Sequence, residues 1–218
     1  MSAVVRLVLV PGLGLGRRSS ALLRRRVPAD VVLLPGMGRR GPVPGLDELA
    51  DQLSSALGPG PVVLVGHSQS CQVVAAMAAR DERVAAVVLL GPTTDPRLRS
   101  WWELAGRWIA TVLAEPPWQY PWVLAQWLRT GPRAMVALWR AASPDRIDRR
   151  LAVLGMPVTV VRGTRDRLCP ADWARSVVAA PADGAWLVEL PGAAHMTLQT
   201  RPDAVAAVLA AVLLRVGG

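Results

Sequence analysis

The sequence predicts an α/β protein with a doubly wound, mostly parallel sheet. Six short apolar runs alternate with segments of helical periodicity, and polar residues hardly interrupt the runs. Near-continuous apolar strands are typical of parallel sheets that helices cover on both faces. The 218 residues are enough for one hydrophobic core, and apolar residues make up 52% of the chain, which argues against a disordered protein.

The predicted strands are spread along the whole chain. They cover residues 4–10, 31–36, 61–66, 84–92, 157–163 and 185–192. Apolar residues at helical spacing occupy 18–26, 46–57, 70–80 and 202–214. In such a sheet the reactive groups gather at the carboxyl ends of the strands, so the candidate site residues are expected in the segments that follow the strands.

Residues 96–155 interrupt the alternation of strands and helices. They contain no strand pattern, and prolines divide them at points where helices can begin. We interpret this segment as a helical lid, or cap, inserted between the fourth and fifth strands. The core is then formed by residues 1–95 together with residues 156–218.

Seven of the nine tryptophans lie in the predicted lid, namely Trp101, Trp102, Trp108, Trp118, Trp122, Trp127 and Trp139. Tryptophan has a large apolar surface and one polar group, so some of them are expected to pack the lid onto the core. Others can line a pocket. Trp108, Trp122 and Trp139 are the candidates for contacts with a substrate.

A serine follows the third strand in "VVLVGHSQS", residues 62–70. Ser68 lies between the strand and a predicted helix, which is the context of the nucleophile elbow G-x-S-x-G. Its hydroxyl would be held above the sheet. Ser70 stands where the motif has its last glycine and is small enough for a crowded turn. The alternative is an ordinary serine at a helix N-terminus.

A nucleophilic serine needs a base, and the chain has two histidines. His67 adjoins Ser68, so its side chain is expected to point away, whereas His195 follows the sixth strand at the predicted catalytic edge. The base needs an acid that holds its tautomer. Asp166, after the fifth strand, is favoured; Asp95, after the fourth strand, competes, and either residue is also compatible with an ordinary turn.

An oxyanion formed at Ser68 needs two backbone N–H groups. Gln69, the residue after the nucleophile, is the first candidate. Leu13 is the second, because "PGLG" at residues 11–14 ends the first strand. A phosphate-binding loop is disfavoured, since the spacing is not that of G-x-x-x-x-G-K-[ST] and the chain has no lysine.

These segments resemble the α/β-hydrolase fold superfamily, and in particular lidded serine hydrolases of the esterase, lipase and thioesterase type. Four motifs carry the resemblance: "PGLG", "VVLVGHSQS", "VVRGTRDRLCP" and "VELPGAAHM". It spans roughly residues 4–214 and implies a catalytic triad of Ser68, Asp166 and His195. It also implies an oxyanion hole formed by the N–H groups of Leu13 and Gln69.

The chain departs from that family pattern at two places. Pro11–Gly12 stands where many relatives have His-Gly, and Ser70 replaces a glycine. Relatives with an aspartate nucleophile, such as haloalkane dehalogenases and epoxide hydrolases, are disfavoured because position 68 is serine.

The formal net charge of +9 is interpreted as a solvated basic surface. All basic residues are arginines, and lysine, phenylalanine and asparagine are absent, which is typical of a G/C-rich coding sequence. The arginines are dispersed, and no basic arm or aromatic stacking platform accompanies them. We therefore expect no nucleic-acid partner.

The two cysteines, Cys71 and Cys169, form neither a metal pattern nor a disulfide framework, and two histidines do not favour a zinc site. No metal and no cofactor are expected. Arg6 interrupts the apolar N-terminal stretch, so we interpret that stretch as a buried strand rather than a signal peptide. No apolar run reaches the ~18 residues of a membrane span, and a cytoplasmic location is expected.

The expected function is hydrolysis of a carboxylic ester, thioester or lactone with an apolar acyl or aromatic group. Two alternatives stay open: the same triad used for carbon–carbon bond cleavage or other non-ester chemistry, and a non-catalytic protein of the same fold that binds a small molecule. The expected partner is a small apolar or aromatic substrate, and the sequence does not define the oligomeric state.

Overall fold

The computed structural model describes residues 4–181 and 185–217; the side chains of Arg99 and Trp101 are not among those described. Its strands are β1 (Arg6–Val10), β2 (Asp30–Val31), β3 (Leu34–Pro35), β4 (Gly38–Arg39), β5 (Val62–His67), β6 (Val84–Leu90), β7 (Val158–Gly163) and β8 (Ala185–Leu190). Six of them form a parallel sheet in the order β2-β1-β5-β6-β7-β8, and β3 pairs with β4 in a small separate ladder. The predicted α/β class with a parallel sheet is confirmed.

The α-helices are α1 (Leu46–Ala56), α2 (Ser70–Ala78), α3 (Trp101–Ala114), α4 (Tyr120–Thr130), α5 (Pro132–Ala142), α6 (Ile147–Leu151), α7 (Ala171–Val178), α8 (Thr197–Thr200) and α9 (Pro202–Gly217). Short 3-10 turns occur at Arg17–Ser20, Leu23–Arg25, Pro96–Arg99 and Pro117–Gln119. None of the helices in the described ranges has both the length and the apolar character needed to cross a bilayer.

The central strands β5, β6 and β7 are buried on both faces, which explains their unbroken apolar runs in the sequence. Successive residues of a strand point to opposite faces. Thus Val62 and Leu64 of β5 belong to one hydrophobic cluster, with α1 and α2, whereas Val63 and Val65 belong to the other, with α9. Each fully buried valine or leucine contributes about 1.5–3 kcal/mol of transfer free energy to folding.

The strand order places a crevice between β1 and β5. After β1 the chain adds β2 on one side, and it then returns to add β5 on the other side. The connections leaving β1 and β5 therefore diverge at the carboxyl ends of these strands, and such a switch point is the usual ligand site of an open parallel sheet. Ser68 follows β5 and Leu13 follows β1, so both lie at this crevice.

Residues 96–155, which we call the helical insertion, lie between β6 and β7. The backbone is described throughout this segment and forms helices α3 to α6 and no strand. Two local features differ from the pattern-based expectation. Residues 18–26 form 3-10 turns instead of one helix. Of the run at 31–36, only Val31 belongs to the main sheet, where it forms β2 together with Asp30, and the chain turns at Gly36, which has a φ of 77°.

Candidate active site

Ser68 has a backbone conformation that non-glycine residues rarely adopt. Its φ is 56°, in the left-handed region, at the junction of β5 and α2. Two hydrogen bonds hold the turn: Ser68 N–H donates to Leu90 O at 2.8 Å, and Cys71 N–H donates to Ser68 O at 3.1 Å. A Cβ on Gly66 would lie 2.9 Å from Cys71 Cα, so the turn requires glycine there. Such strain costs about 1–3 kcal/mol and concentrates at functional sites.

Ser70, which stands in place of the motif's last glycine, ties the turn to the neighbouring strand. Its hydroxyl accepts a hydrogen bond from His67 N–H at 2.8 Å and lies 2.7 Å from Val10 O, to which it can donate. His67 O, at 3.0 Å, is the alternative acceptor. The hydroxyl is fully buried. It therefore joins the end of β5 to the end of β1, where the "PGLG" segment begins.

His195 and Asp166 form a buried pair beyond the ends of β8 and β7. His195 Nδ1 lies 2.7 Å from Asp166 Oδ2. The other oxygen, Oδ1, accepts hydrogen bonds from the N–H groups of Leu168 at 2.9 Å and Cys169 at 3.1 Å. Because the carboxylate is held at both oxygens, it fixes the orientation of the imidazole and its Nδ1–H tautomer.

Two glycines leave room for this pair. A Cβ on Gly91, which has a φ of 58°, would lie 3.0 Å from His195 Nδ1 and 3.1 Å from Asp166 Oδ2. A Cβ on Gly163 would lie only 2.2 Å from Ala194 O. The ends of β6 and β7 therefore carry no side chain where the loop of His195 passes over them.

Asp95, the competing acid, is engaged elsewhere. The single Nε–H of Arg97 is shared between both oxygens of the Asp95 carboxylate, each 2.9 Å from Nε, and Arg97 Nη2 donates a further hydrogen bond at 2.6 Å. The carboxylate also accepts from Arg97 N–H at 2.9 Å. Asp166, not Asp95, is the carboxylate bonded to His195.

The protonation of the two acid–base partners follows from their surroundings. Burial lowers the pKa of His195, but the charge of Asp166, its hydrogen bond and the charge of Glu115 outweigh burial, so the pKa is raised above 6.5. Burial raises the pKa of Asp166, but His195 and the Leu168 and Cys169 N–H groups outweigh it, and the pKa is lowered. The pair is thus arranged to stabilise an imidazolium next to a carboxylate.

His67 is unsuited to be the base. Its ring lies 5.1 Å from the ring of His195, centroid to centroid, and its Nε2 lies 3.2 Å from His195 O. Burial, and then the charge of His195, lower the pKa of His67 to about 3. A neutral His67 therefore donates its Nε2 proton to the backbone of His195.

Ser68 and His195 line the same cavity. Ser68 is half-buried, and His195 Nε2, the nitrogen free to act as a base, is buried without a hydrogen-bond partner in the described residues. In those residues no hydrogen bond joins Ser68 to His195. Such contacts are often long before substrate binds and shorten only in the reactive complex.

The backbone N–H groups of Leu13 and Gln69 are free to receive a ligand. Both residues line the cavity, and neither N–H makes a hydrogen bond within the described part of the chain. Gly12 brings the two segments together, since a Cβ there would lie 3.0 Å from Ser68 Cβ. Unpaired N–H groups beside a half-buried serine are the arrangement that an oxyanion requires.

The cavity extends from Ser68 into the helical insertion and has a volume of about 1100 Å³. Apolar side chains from α3, α4 and α5 line most of it: Leu104, Trp108, Val112, Leu124, Trp127, Met135 and Trp139. Such a cavity suits a small apolar molecule.

Of the three tryptophans expected in the pocket, two line the cavity and one does not. Trp108 and Trp139 line the cavity, whereas Trp122 is exposed on the outer side, with the Arg18 guanidinium 5.9 Å from its ring centre. The expectation for Trp122 is corrected in favour of Trp127, which lines the cavity and stacks on Trp108. Five residues separate Trp122 from Trp127, which is about 140° around a helix, so they cannot share a face.

Comparisons with known proteins agree with this architecture. The model of the alpha/beta hydrolase family matches residues 7–208, so the chain belongs to the alpha/beta hydrolase family. No curated protein sequence matches the chain.

Among solved structures, a thermophilic esterase is similar at 22% identity, with a TM-score of 0.77, covering 98% of this chain and 90% of that one. An enol-lactonase from Burkholderia xenovorans is 19% identical, with a TM-score of 0.76, covering 98% and 92%. Est816, described as an N-acyl homoserine lactone degrading enzyme, is 16% identical, with a TM-score of 0.72, covering 96% and 93%. At these identities the likeness establishes the shared fold.

Proposed function

We propose that the protein is a serine hydrolase that cleaves a carboxylic ester, thioester or lactone carrying an apolar acyl or aromatic group. The observation that carries the proposal is the buried His195–Asp166 pair: His195 lines the same cavity as the strained Ser68, and its Nε2 has no hydrogen-bond partner in the described residues. Family membership supports an enzyme of hydrolytic type, as do the esterase and lactonase structures.

In the proposed mechanism Ser68 Oγ attacks the carbonyl carbon while His195 Nε2 accepts its proton. The negative oxygen of the tetrahedral intermediate accepts hydrogen bonds from the N–H groups of Leu13 and Gln69. Each such donor contributes about 10²–10³-fold to the rate in enzymes of this type. Asp166 stabilises the imidazolium, which then gives its proton to the leaving alcohol, thiol or, in a lactone, ring oxygen.

The acyl-enzyme is then hydrolysed in a second, similar step. His195 Nε2 takes a proton from water, which attacks the acyl carbon, and the same two N–H groups again hold the oxyanion. Collapse of this intermediate returns the proton to Ser68 Oγ and releases the carboxylic acid.

The apolar cavity supports the proposed acyl specificity. Burial of one methylene group contributes about 0.8 kcal/mol, which is up to about fourfold in kcat/KM for each carbon added to the acyl chain. An ester with an acetyl group would leave most of the 1100 Å³ unfilled. Longer straight-chain or aromatic acyl groups should therefore be better substrates.

The test is hydrolysis of p-nitrophenyl esters of increasing acyl length by the wild type and by Ser68→Ala. We expect kcat/KM to rise with acyl length in the wild type, and Ser68→Ala to lower kcat by about 10⁴–10⁶-fold. Ser55→Ala, which changes an exposed serine on α1, is the matched control and should behave as wild type. A near-normal rate for Ser68→Ala would rule out the proposed nucleophile.

A further inference from the structure

Glu115 is a buried carboxylate that the proposed mechanism does not use. It directly follows α3 in the helical insertion, is 8% exposed, and lines the same cavity as Ser68 and His195. No ion pair reaches it in the described residues. A carboxylate in a mostly apolar cavity is unfavourable unless a specific interaction uses it.

The carboxylate bridges the insertion and the loop of the base. Glu115 Oε1 accepts a hydrogen bond from Met196 N–H at 2.6 Å, and Met196 is the residue that follows His195. Gln119 Nε2 donates to Oε2 at 3.1 Å. One oxygen is thus bound to the catalytic loop of the core, and the other to the turn between α3 and α4.

The end of α3 is held in place by a separate contact. The Tyr120 hydroxyl lies 2.8 Å from Val112 O and 3.2 Å from Glu115 O, and its single proton is shared between these two carbonyls. The backbone at Glu115 is therefore fixed to the start of α4. A displacement of this corner of the insertion would withdraw the carboxylate from the His195 loop.

We propose that Glu115 is a positioning residue for the base: it fixes the backbone after His195 to the end of α3 and places a second carboxylate beside the imidazolium that forms during the reaction. Only the expected effect on kcat rests on the proposed function. The contacts themselves link the insertion to His195 whatever the substrate is.

The electrostatics around His195 agree with such a role. Three titratable groups face the imidazole: Asp166 from the loop after β7, Glu115 from the end of α3 and the neutral His67 from the end of β5. After burial and Asp166, the charge of Glu115 is the remaining influence on the pKa of His195, and it raises that pKa. Burial also raises the pKa of Glu115 itself, opposed by its bond to Met196 and by the charge of His195.

A titration of the full chain by NMR tests this link without any substrate. The chain has only two histidines, and burial keeps the pKa of His67 near 3, so the imidazole that titrates at higher pH is His195. We expect Glu115→Gln, which keeps an oxygen for Met196 N–H, to lower the His195 midpoint by about 0.5–1 pH unit, less than a directly bonded carboxylate would contribute. Glu103→Gln, which removes an exposed carboxylate from α3, should leave the midpoint unchanged.

Kinetics separate the positioning effect from the charge effect. In Glu115→Gln the acid limb of the kcat/KM profile should move to lower pH by the same amount as the NMR midpoint, with the plateau within a few-fold of wild type. In Glu115→Ala, which removes the acceptor for Met196 N–H, kcat on the best ester should fall by at least about tenfold, with a smaller change in KM.

An unchanged His195 midpoint in Glu115→Gln would overturn the inference, as would a wild-type kcat in Glu115→Ala. Failure of the proposed function looks different. In that case the wild type hydrolyses no ester, while the shift of the His195 midpoint persists in Glu115→Gln.

Discussion

Asp166 Oδ2 lies 2.7 Å from His195 Nδ1, while its other oxygen is held by two backbone N–H groups. Asp95, which follows a neighbouring strand and is equally buried, is bound to Arg97 instead. The two aspartates thus are equally buried, but Asp166 is bonded to a histidine and Asp95 to an arginine. This makes them a matched pair for testing the proposed acid.

Asp166→Asn should abolish most of the activity. An asparagine amide that donates to Nδ1 favours the wrong imidazole tautomer, and the loss of such an acid lowers kcat by about 10⁴-fold. Asp95→Asn should keep kcat near the wild-type value, although it lowers the melting temperature because Arg97 loses one of its two carboxylate partners and keeps only Asp172. Ester hydrolysis and thermal unfolding of both variants check this, and the reverse order of the two kcat values would assign the acid to Asp95.

The pH profile of kcat/KM should have its acid limb above pH 6.5. His195 accepts a proton only when neutral, and Asp166 and Glu115 raise its pKa above the ordinary value. Activity is therefore full above this raised pKa and is lost as the pH falls through it. Measurement of kcat/KM between about pH 5 and 9 tests the sign; a limb clearly below 6.5 would mean that burial dominates over the two carboxylates.

His67 should make the fold sensitive to acid. Its folded pKa of about 3 lies below the unfolded value of 6.5, so the unfolded chain binds the extra proton in this window. Its contribution to stability is full above pH 6.5 and is lost as the pH falls toward 3, at up to about 1.4 kcal/mol per pH unit. Denaturant unfolding at several pH values should show a weaker pH dependence in His67→Gln, whose amide can replace the Nε2 donor. Equal slopes in the two proteins would contradict a neutral, buried His67.

The Ser70 hydroxyl should contribute measurably to stability. Ser70→Ala leaves His67 N–H and Val10 O without their partner in a fully buried site, which costs about 1–3 kcal/mol of unfolding free energy. Ser176→Ala, which removes an exposed hydroxyl from α7, is the control and should stay within about 0.5 kcal/mol of wild type. Equal free energies of unfolding for the two variants would mean that the hydrogen bonds of the Ser70 hydroxyl do not stabilise the fold.

The sequence was sufficient to predict the fold class and to find the polar residues that follow the strands. Unbroken apolar runs report burial on both faces of a sheet, and the residues after β5, β7 and β8 have only one edge at which to meet. It did not predict α7, nor that β2 pairs through only two residues. Both features depend on how the rest of the chain packs against the sheet, which a local sequence pattern does not contain.

The parts of the site that the sequence did not reveal are those made by contacts distant in the chain. Glu115 has no motif around it, and the role proposed for it depends on a hydrogen bond from Met196 N–H, 81 residues away in the chain. Ser70 was predicted as a small neighbour, but the acceptor of its hydroxyl lies 60 residues away on β1. Which of Trp122 and Trp127 faces the cavity depends on the rotation of α4, which is set by its packing on the rest of the protein.

Labelling with a fluorophosphonate probe tests the central claim most directly. The probe reacts with a serine that is activated by a base and supported by an oxyanion hole, so it needs no knowledge of the substrate. The account predicts one adduct per chain, located on the peptide that contains Ser68 by mass spectrometry. The adduct should be absent from Ser68→Ala and strongly reduced in Asp166→Asn. An adduct on another residue, or full labelling of Ser68→Ala, would contradict the assignment of Ser68 as the nucleophile.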